Sequence, residues 1–252
     1  MGARVDGDRD RRSRGRASAA TSPPDPSRVR VIACATVIDE LAPRLPPDVR
    51  TEVLDFGLHR SPQRLTDRLQ AAIDRTHDAD VILLGYGLCS GGVVGLRATT
   101  ASLVIPRVDD CIGLFLGSQR VYRAAAQRAP GTFYLTAGWL EAGDTPLDEE
   151  RRLRDRYGAE RAARIVECML SGYTRLVLIR TAGTGARRDR AAAEAIADRY
   201  GLEFAEVDGA PTLVDRLVTG PWDDEFVVVP PGGEVTLADF LVPRTAEPCD
   251  ER

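Results

Sequence analysis

The stretch that decides the fold is ADVILLGYGLCSGG, residues 79–92, in which an apolar run is followed at once by glycines and a cysteine. A short continuous apolar run is typical of a strand that is buried on both faces, as in a parallel sheet. Glycine suits places where the backbone turns sharply or approaches another group closely. The stretch therefore predicts a buried strand that ends in a turn, where the side chain of Cys89 is presented to whatever lies there.

Similar apolar runs alternate with amphipathic segments along most of the chain. Ser61 and Pro62 are a typical helix start, and the segment after them carries Leu65, Leu69 and Ile73 at helical spacing. The predicted strands are residues 29–35, 52–58, 79–87, 102–108, 131–139, 175–181, 202–207 and 225–231. The predicted helices are residues 63–73, 109–129, 159–173, 188–201 and 211–220. This alternation predicts an α/β fold, with a mostly parallel open sheet and flanking helices.

The composition suggests where the folded part begins and ends. Residues 1–28 are rich in charge, Ser, Pro and Gly and poor in apolar residues, so they are predicted to be a disordered tail. Residues 29–242 form the predicted α/β domain, and residues 243–252 form a short polar tail. The charged stretch 141–156 is predicted as a loop that leads into a surface helix. It could connect two βαβ half-domains, 29–140 and 141–242.

Charge and hydropathy exclude several classes of function. The chain has 252 residues and a formal net charge of −4, which disfavours nucleic acid as a partner. All 34 basic residues are arginine, so neither a Schiff-base lysine nor a P-loop lysine can operate. No apolar run approaches the roughly 20 residues that span a bilayer, and no secretory signal is evident, so we expect no membrane association. The expected location is the cytoplasm, where cysteines stay reduced, bind metal or react.

Three of the five cysteines follow different predicted strands. Cys34 ends the first strand, Cys89 lies just beyond the third, and Cys111 follows the fourth and opens the next helix. Because ligands of open parallel sheets bind at the carboxyl ends of the strands, these three are expected at one site. The amides of the helix N-terminus are expected to favour the thiolate form of Cys111, and the adjacent Asp109 and Asp110 are expected to oppose this in part. Cys168 is interpreted as a small core residue, and Cys249, in the polar tail, as incidental.

Three thiolates from separate strands suit two kinds of centre. A [4Fe–4S] cluster can be held by three cysteines, which leaves one iron open for substrate. Zinc can take three protein ligands and keep a fourth position for water or a thiol. There is no CxxC pair, and free cysteines are often simply buried, so packing of these cysteines in the core stays an alternative.

Other residues near the predicted strand ends are weaker candidates. His59 ends the second strand and could be a metal ligand, a cap or a core residue. Tyr86, Tyr134 and Trp139 could wall a pocket or pack in the core. Arg107 could bind a substrate carboxylate or phosphate, whereas surface pairing is favoured for Arg97. Asp109 and Asp110 could cap the helix or touch the metal. The segment TAGTGARRD, residues 181–189, is interpreted as a tight turn rather than a nucleotide site, since it lacks the full GxGxxG pattern.

Several motifs together resemble domain-of-unknown-function family 1638. They are FGLHRSPQRL, GYGLCSGGVVGL, IPRVDDCIGLFLGS and GTFYLTAGW, and the resemblance covers nearly all of residues 29–242. The resemblance marks a set of matching positions: Cys34, His59, Tyr86, Gly87, Cys89, Cys111, Gly117, Ser118, Gly138 and Trp139. In the family a histidine often stands at Asp109 or its neighbour before Cys111, so a histidine ligand there is absent here. The resemblance supplies no reaction, although some members resemble partners of corrinoid-dependent methyl transfer.

These observations lead to three functional hypotheses. The first is an enzyme with a three-cysteine [4Fe–4S] cluster whose open iron acts as Lewis acid or electron relay on a small-molecule substrate. The second is a zinc enzyme that activates a thiol, with corrinoid-linked methyl transfer as one reaction of that type. The third is a non-catalytic metal-binding protein that serves a partner enzyme. The expected metal ligands are Cys34, Cys89, Cys111 and His59, and the expected cofactor-contacting residues are Tyr86, Gly87, Trp139, Arg107 and Asp110.

Overall fold

The computed structural model of the chain describes residues 25–181 and 186–241, and its strands and helices alternate. The strands are β1 Val29–Cys34, β2 Arg50–Leu54, β3 Val81–Gly85, β4 Ser102–Pro106, β5 Thr132–Leu135, β6 Arg175–Arg180, β7 Glu203–Asp208 and β8 Phe226–Val229. The helices are α1 Ala35–Leu41, α2 Pro62–Arg75, α3 Cys111–Phe115, α4 Gln119–Arg128, α5 Ala137–Ala142, α6 Pro146–Tyr157, α7 Ala159–Leu170, α8 Ala186–Tyr200 and α9 Thr212–Thr219. The α/β class with mostly parallel sheets is confirmed.

The larger sheet has five strands in the order β2-β1-β3-β4-β8. The first four run parallel, whereas β8 pairs with β4 in the antiparallel direction. The central strands β1 and β3 are almost continuously buried, as their unbroken apolar sequences predict. The carboxyl ends of β1, β3 and β4 consequently lie side by side along one edge of the sheet.

The smaller sheet has three parallel strands in the order β5-β6-β7. The predicted halves 29–140 and 141–242 do not coincide with the two sheets. Strand β5, at 132–135, belongs to the smaller sheet, and β8, at 226–229, returns to the larger one.

Apolar side chains fill both faces of the larger sheet. On one face, α2 buries Leu65, Leu69 and Ile73, which are the positions predicted from its periodicity. On the other face, buried residues of α1, α3 and α9 form a second core. A third core lies between the smaller sheet and α8. Cys34 packs against both cores of the larger sheet, so it lies at the edge where these two cores meet.

The charged stretch 141–156 was predicted as a loop, but most of it is helix α6. Four other local predictions were also wrong. The segment 52–58 leaves the strand after Leu54, because Asp55 caps a 3₁₀ turn over Phe56–Arg60. The segment 131–139 is a strand only to Leu135 and then becomes α5. Helix α1 follows β1 directly, where no helix was predicted.

The fourth difference is the predicted helix 109–129, which the structure divides into α3 and α4. Gly117 between them adopts φ of 74°, a left-handed conformation that favours glycine. The hydroxyl of Ser118 then accepts from the Arg120 amide at 3.2 Å and begins the second helix.

Some predictions concern the ends of the described part. Of the predicted tail 1–28, residues 1–24 lie outside the described residues, whereas Pro26–Arg28 form a 3₁₀ turn in which Arg28 pairs with Asp80. The C-terminal tail with Cys249 and residues 182–185 of the glycine-rich turn also lie outside them. Among the described helices, none combines the length and the apolar character needed to cross a bilayer.

Candidate functional site

A cavity of about 290 Å³ lies at the carboxyl edge of the larger sheet, between the ends of β1, β3 and β4. Its walls are Val37, Phe56, Ile112 and Trp139, with the backbone of Gly85 at one side. Its polar and titratable lining residues are Cys34, His59, Tyr86, Cys89, Ser90, Asp109, Asp110 and Cys111. The cavity thus contains all three cysteines that follow the first, third and fourth predicted strands.

Cys34 is the last residue of β1 and the N-cap of α1. Its Sγ lies 3.4 Å from Thr36 Oγ1. Burial raises the pKa of the Cys34 thiol, while hydrogen bonds with the Thr36 side chain and with the amides of Thr36 and Val37 oppose that rise. The thiol is therefore buried but already has groups around it that would stabilise a negative charge.

Cys89 lies in a strained turn after β3. Its φ is 46° and that of Ser90 is 57°, although neither residue is glycine. The turn is fixed to the loop after β4, because the Leu88 amide donates to the Val108 carbonyl at 2.8 Å and the Cys89 amide donates to the Asp109 carbonyl at 3.0 Å. Burial raises the pKa of the Cys89 thiol to about 12. The surrounding structure therefore keeps a cysteine in a conformation that glycine would adopt more easily.

Cys111 is the first residue of α3, and Asp110 is the N-cap of that helix, as its Oδ1 accepts from the Ile112 amide at 2.9 Å. Burial raises the pKa of the Cys111 thiol well above its usual value, and negative charge at Cys89, Asp110 and Cys34 adds to the rise. The expectation that the helix start would favour the thiolate was wrong, because burial and neighbouring negative charge outweigh the few amides of a short helix.

The three thiols are electrostatic neighbours as well as residues of one cavity. Negative charge at Cys34 raises the pKa of Cys89, and negative charge at either raises the pKa of Cys111. Within the described residues, no arginine lines this cavity. In the same part of the chain, no group of three or more His, Cys, Asp or Glu side chains is placed so that it could hold a metal ion.

Two aromatic residues of the cavity lining carry polar atoms that are fully buried and unpaired within the described residues. The Tyr86 hydroxyl and Trp139 Nε1 are buried and have no hydrogen-bond partner within the described residues. Burial raises the pKa of the Tyr86 phenol, and negative charge at Cys34 and Cys89 raises it further. An unpaired buried donor costs free energy, so such atoms are rare in folded proteins unless a ligand completes them.

Asp110 is the carboxyl group that lies deepest in the cavity wall. Its Oδ2 accepts from the Tyr122 hydroxyl at 3.2 Å. Burial raises the pKa of Asp110, against the hydrogen bonds from Ile112 and Tyr122. The neighbouring Asp109 is exposed and pairs with Gln119 and Arg123.

His59 lies at the mouth of the cavity, with 43 % of its side chain exposed. Its Nδ1 donates to the Phe56 carbonyl at 2.6 Å, because a carbonyl oxygen can only accept. Nε2 is 3.7 Å from the Asp144 carboxylate, which also pairs with Arg60 and Arg152. His59 can therefore offer Nε2 to a ligand only by turning away from this ion cluster.

The structure places several predicted residues elsewhere. Arg107 bonds to β8, since its amide donates to the Glu225 carbonyl and its Nη2 donates to the Phe226 carbonyl. Gly87 does not line the cavity but lies against its wall, where a Cβ would come within 2.8 Å of the Val108 carbonyl oxygen. Arg97 pairs with Glu234 at the surface.

Three further residues are also remote from the cavity lining. Tyr134 packs edge-on against Tyr122 and faces a separate groove on the smaller sheet. His77 is exposed in the turn after α2. Cys168 is exposed on α7, so its interpretation as a core residue was wrong.

Sequence reasoning missed several contributors to the site. Phe56, Ser90 and Val37 line the cavity, and Tyr122 holds Asp110. Val37 was missed because α1 was not predicted. The sequence SerGlyGly after Cys89 signals a turn, but it does not reveal that Cys89 and Ser90 themselves adopt left-handed conformations.

Comparison with known proteins gives one match. The family model described as protein of unknown function (DUF1638) matches residues 53–218, which is more than half of the chain and includes Cys89 and Cys111. No curated protein and no solved structure matches the chain.

Proposed function

The chain belongs to the DUF1638 family of proteins of unknown function, and we propose that it binds a [4Fe–4S] cluster through Cys34, Cys89 and Cys111. The fourth iron is open to a small-molecule substrate in the rest of the cavity. The observation that carries this proposal is that three cysteines, remote in sequence, line one cavity at three neighbouring strand ends.

The electrostatics of the cavity support a cationic occupant. A cysteine binds metal as its thiolate, yet burial raises the pKa of all three thiols, and negative charge at the neighbouring cysteines adds to the rise at Cys89 and Cys111. No arginine lines the described cavity to compensate three negative charges. A positively charged iron–sulfur core supplies that compensation and makes the thiolate forms the stable ones.

The size of the cavity supports an occupant larger than one ion. Its volume is about 290 Å³, whereas one water molecule takes about 30 Å³ in the liquid. The space accommodates a cluster near the thiols together with a small substrate towards the mouth. Apolar walls at Phe56, Ile112 and Trp139 would exclude bulk water from the open iron.

The alternative occupant is a zinc ion in a zinc–thiolate enzyme, and the geometry of His59 favours it. A histidine that donates Nδ1–H to a backbone carbonyl has its tautomer fixed with Nε2 available, as metal-binding histidines commonly do. Three thiolates and one imidazole would satisfy tetrahedral zinc. This alternative requires Nε2 of His59 to leave the Asp144 carboxylate.

Metal analysis of protein purified without oxygen tests the proposal. We expect iron and acid-labile sulfide in equal amounts, with the broad visible absorption of a four-iron cluster. Serine variants of Cys34, Cys89 and Cys111 should each lose most of the iron. Cys168→Ser is the matched control, because Cys168 is exposed on α7, and it should keep the full amount.

The same preparation distinguishes the alternatives. Stoichiometric zinc without sulfide would refute the cluster and support the zinc site. A wild-type protein that contains neither a cluster nor zinc would refute both proposals. Full iron in any one of the three cavity variants would remove that cysteine from the ligand set.

Mild oxidation tests whether one iron lacks a cysteine ligand. A cluster held by three cysteines is oxidised by one electron, loses that iron as ferrous ion and becomes a [3Fe–4S] centre, which electron paramagnetic resonance detects. Ferrous iron added together with a one-electron reductant restores the four-iron cluster. A cluster that resists this conversion would have a fourth strong protein ligand.

A further inference from the structure

The two faces of the smaller sheet are covered unequally. On one face, Leu135, Leu176 and Leu178 are buried in the core that includes residues of α8. On the other face, a groove of about 360 Å³ lies between α4 and the sheet. Parallel sheets are usually buried on both faces, and small-molecule sites commonly have volumes of roughly 300–1,000 Å³. This second face is therefore a candidate site for a bound molecule.

The walls of the groove are largely apolar. They are formed by Val121 and Ala125 of α4 and by Tyr134, Val177, Ala205 and Val207 of the sheet. Tyr134, Val177 and Ala205 are register partners on the three strands, so they form one continuous row across the sheet. Val121 is 45 % exposed and Val207 is 36 % exposed, so apolar surface faces water on both sides of the groove. These walls suit the apolar body of a ligand.

Two arginines also line the groove, near the end where β5 and β6 begin. Arg128 is the last residue of α4. Arg175 is the first residue of β6 and the register partner of Thr132, the first residue of β5. The Thr132 hydroxyl donates to the Ala129 carbonyl at 2.7 Å, which ties the end of α4 to the start of β5. The backbone that carries both arginines is therefore held in place.

Neither arginine has a carboxylate partner within the described residues. Arg128 Nε donates to the Ala124 carbonyl at 3.2 Å, and Arg175 Nε is buried with no hydrogen-bond partner. The acidic residue of the groove lining, Glu206, pairs instead with Arg190. A buried guanidinium nitrogen without an acceptor costs free energy, and an anionic ligand would supply charge and acceptors to both arginines.

We propose that this groove binds a small organic carboxylate, with its head group at Arg128 and Arg175 and its apolar body along the row of Tyr134, Val177 and Ala205. Guanidinium groups bind carboxylates bidentately. A dianionic phosphate is disfavoured, because Arg128 ends α4, where the helix dipole is negative, whereas phosphates bind well at helix N-termini. The groove shares no lining residue with the cavity of the three cysteines, so this proposal does not depend on the cluster.

Titration calorimetry of the full chain with hexanoate tests the proposal. Hexan-1-ol has the same carbon chain without the charge, and acetate has the charge without the carbon chain. We expect hexanoate to bind, and each of the other two probes to bind at least about tenfold more weakly. Hexyl phosphate that binds more tightly than hexanoate would overturn the preference for a carboxylate.

Glutamine variants of the two arginines locate the bound probe. We expect Arg175→Gln and Arg128→Gln each to weaken hexanoate binding by about tenfold, because each removes a charged donor. Arg128 is exposed, so its variant should fold even if Arg175→Gln does not, and circular dichroism checks both. Arg164→Gln is the control, because Arg164 is exposed on α7 beside Glu160, and it should keep the full affinity. Glu203→Gln removes the register partner of Arg175 on β7 and should not weaken binding.

Several results would overturn the proposal. They are the absence of hexanoate binding, equal binding of hexan-1-ol, and unchanged affinity in both arginine variants of the groove. A wild-type dimer that excludes hexanoate, detected by sedimentation, would assign the groove to a second copy of the chain. The metal analysis above does not involve these variants, so failure of this proposal would leave the proposed cluster standing, and failure of the cluster would leave this proposal standing.

Discussion

Two carboxyl groups in different regions of the molecule each accept a hydrogen bond from a tyrosine, yet their surroundings shift their pKa values in opposite directions. Glu150 of α6 accepts from the Tyr200 hydroxyl at 2.8 Å and from Arg199 and Arg154 at 2.8 and 3.1 Å. The Tyr200 hydrogen bond and the two arginines lower the pKa of Glu150 against the effect of burial. Burial instead raises the pKa of Asp110, which has no arginine partner within the described residues.

The difference separates a structural cluster from a candidate functional one. The Glu150 carboxylate is paired with one hydroxyl and two arginines, so the cluster joins α6 to α8. Around Asp110 lie three thiols with raised pKa values and the unpaired Tyr86 hydroxyl. Uncompensated buried groups destabilise a protein unless something binds there, and they concentrate at functional sites.

The largest effect on stability is expected from removal of the paired acid. Glu150→Ala deletes a side chain of a residue that is 4 % exposed and leaves the Tyr200 hydroxyl and both arginines without their acceptor. Because the arginines are half-exposed and can be rehydrated, we expect the free energy of unfolding to fall by about 2 kcal/mol. Urea unfolding followed by circular dichroism measures this loss.

Glu160→Ala is the control, because it removes an exposed i,i+4 ion pair with Arg164. Its loss in the free energy of unfolding should stay below about 0.5 kcal/mol. Equal losses in the two variants would show that the Glu150 cluster does not stabilise the fold.

The opposite pKa shifts predict that the stability contributions of the two groups depend on pH in opposite directions. The folded pKa of Glu150 is lowered, so its contribution is present above the unfolded value of about 4.3 and is lost as pH falls through the folded value. The folded pKa of Asp110 is raised, so its contribution is present below about 3.9 and is lost as pH rises through the folded value.

Paired unfolding curves from pH 3 to pH 8, on chelator-treated protein, check these signs. The advantage of the wild type over Glu150→Gln should shrink in acid. Asp110→Asn should gain on the wild type in the free energy of unfolding as the pH rises, because the amide is uncharged. Its Oδ1 can still accept from the Ile112 amide, while its Nδ2 would face the Tyr122 hydroxyl as a donor. Parallel pH profiles for the two variants would contradict the assignment of opposite shifts.

Much of the fold could be predicted because the central strands are unbroken apolar runs, and these runs lie between amphipathic segments. The segment ATVIDEL of α1 was missed, since it follows β1 without a turn residue and contains Val and Ile, which also suit strands. The return of β8 to the larger sheet could not be predicted, because its pairing with β4 depends on tertiary packing rather than on local pattern.

The site was partly predictable for a topological reason. Cysteines that end parallel strands come to one edge of the sheet, and Cys34, Cys89 and Cys111 do line one cavity there. The direction in which the pKa of Cys111 shifts depends on how deeply the thiol is buried, and the sequence does not specify this. The place of Arg107 depends on its neighbour β8, whose position was unknown from sequence.

The smallest expected effect on stability comes from the strained backbone of Cys89 and Ser90, two residues that line the cavity. The side chain of Ser90 is exposed and its φ is 57°, so Ser90→Gly changes the conformational cost with little loss of packing. Glycine removes the strain of the left-handed conformation in the folded state, but it also increases the conformational entropy of the unfolded chain. Because the first effect is the larger one, we expect the free energy of unfolding in urea to rise by about 0.5 kcal/mol. Ser90→Ala retains a Cβ at the same φ and should show no such gain. A gain in Ser90→Ala equal to that in Ser90→Gly would assign the effect to the hydroxyl instead. A gain confined to glycine means that the turn carrying Cys89 is strained, and that contacts from the loop after β4 keep the cysteine beside the cavity.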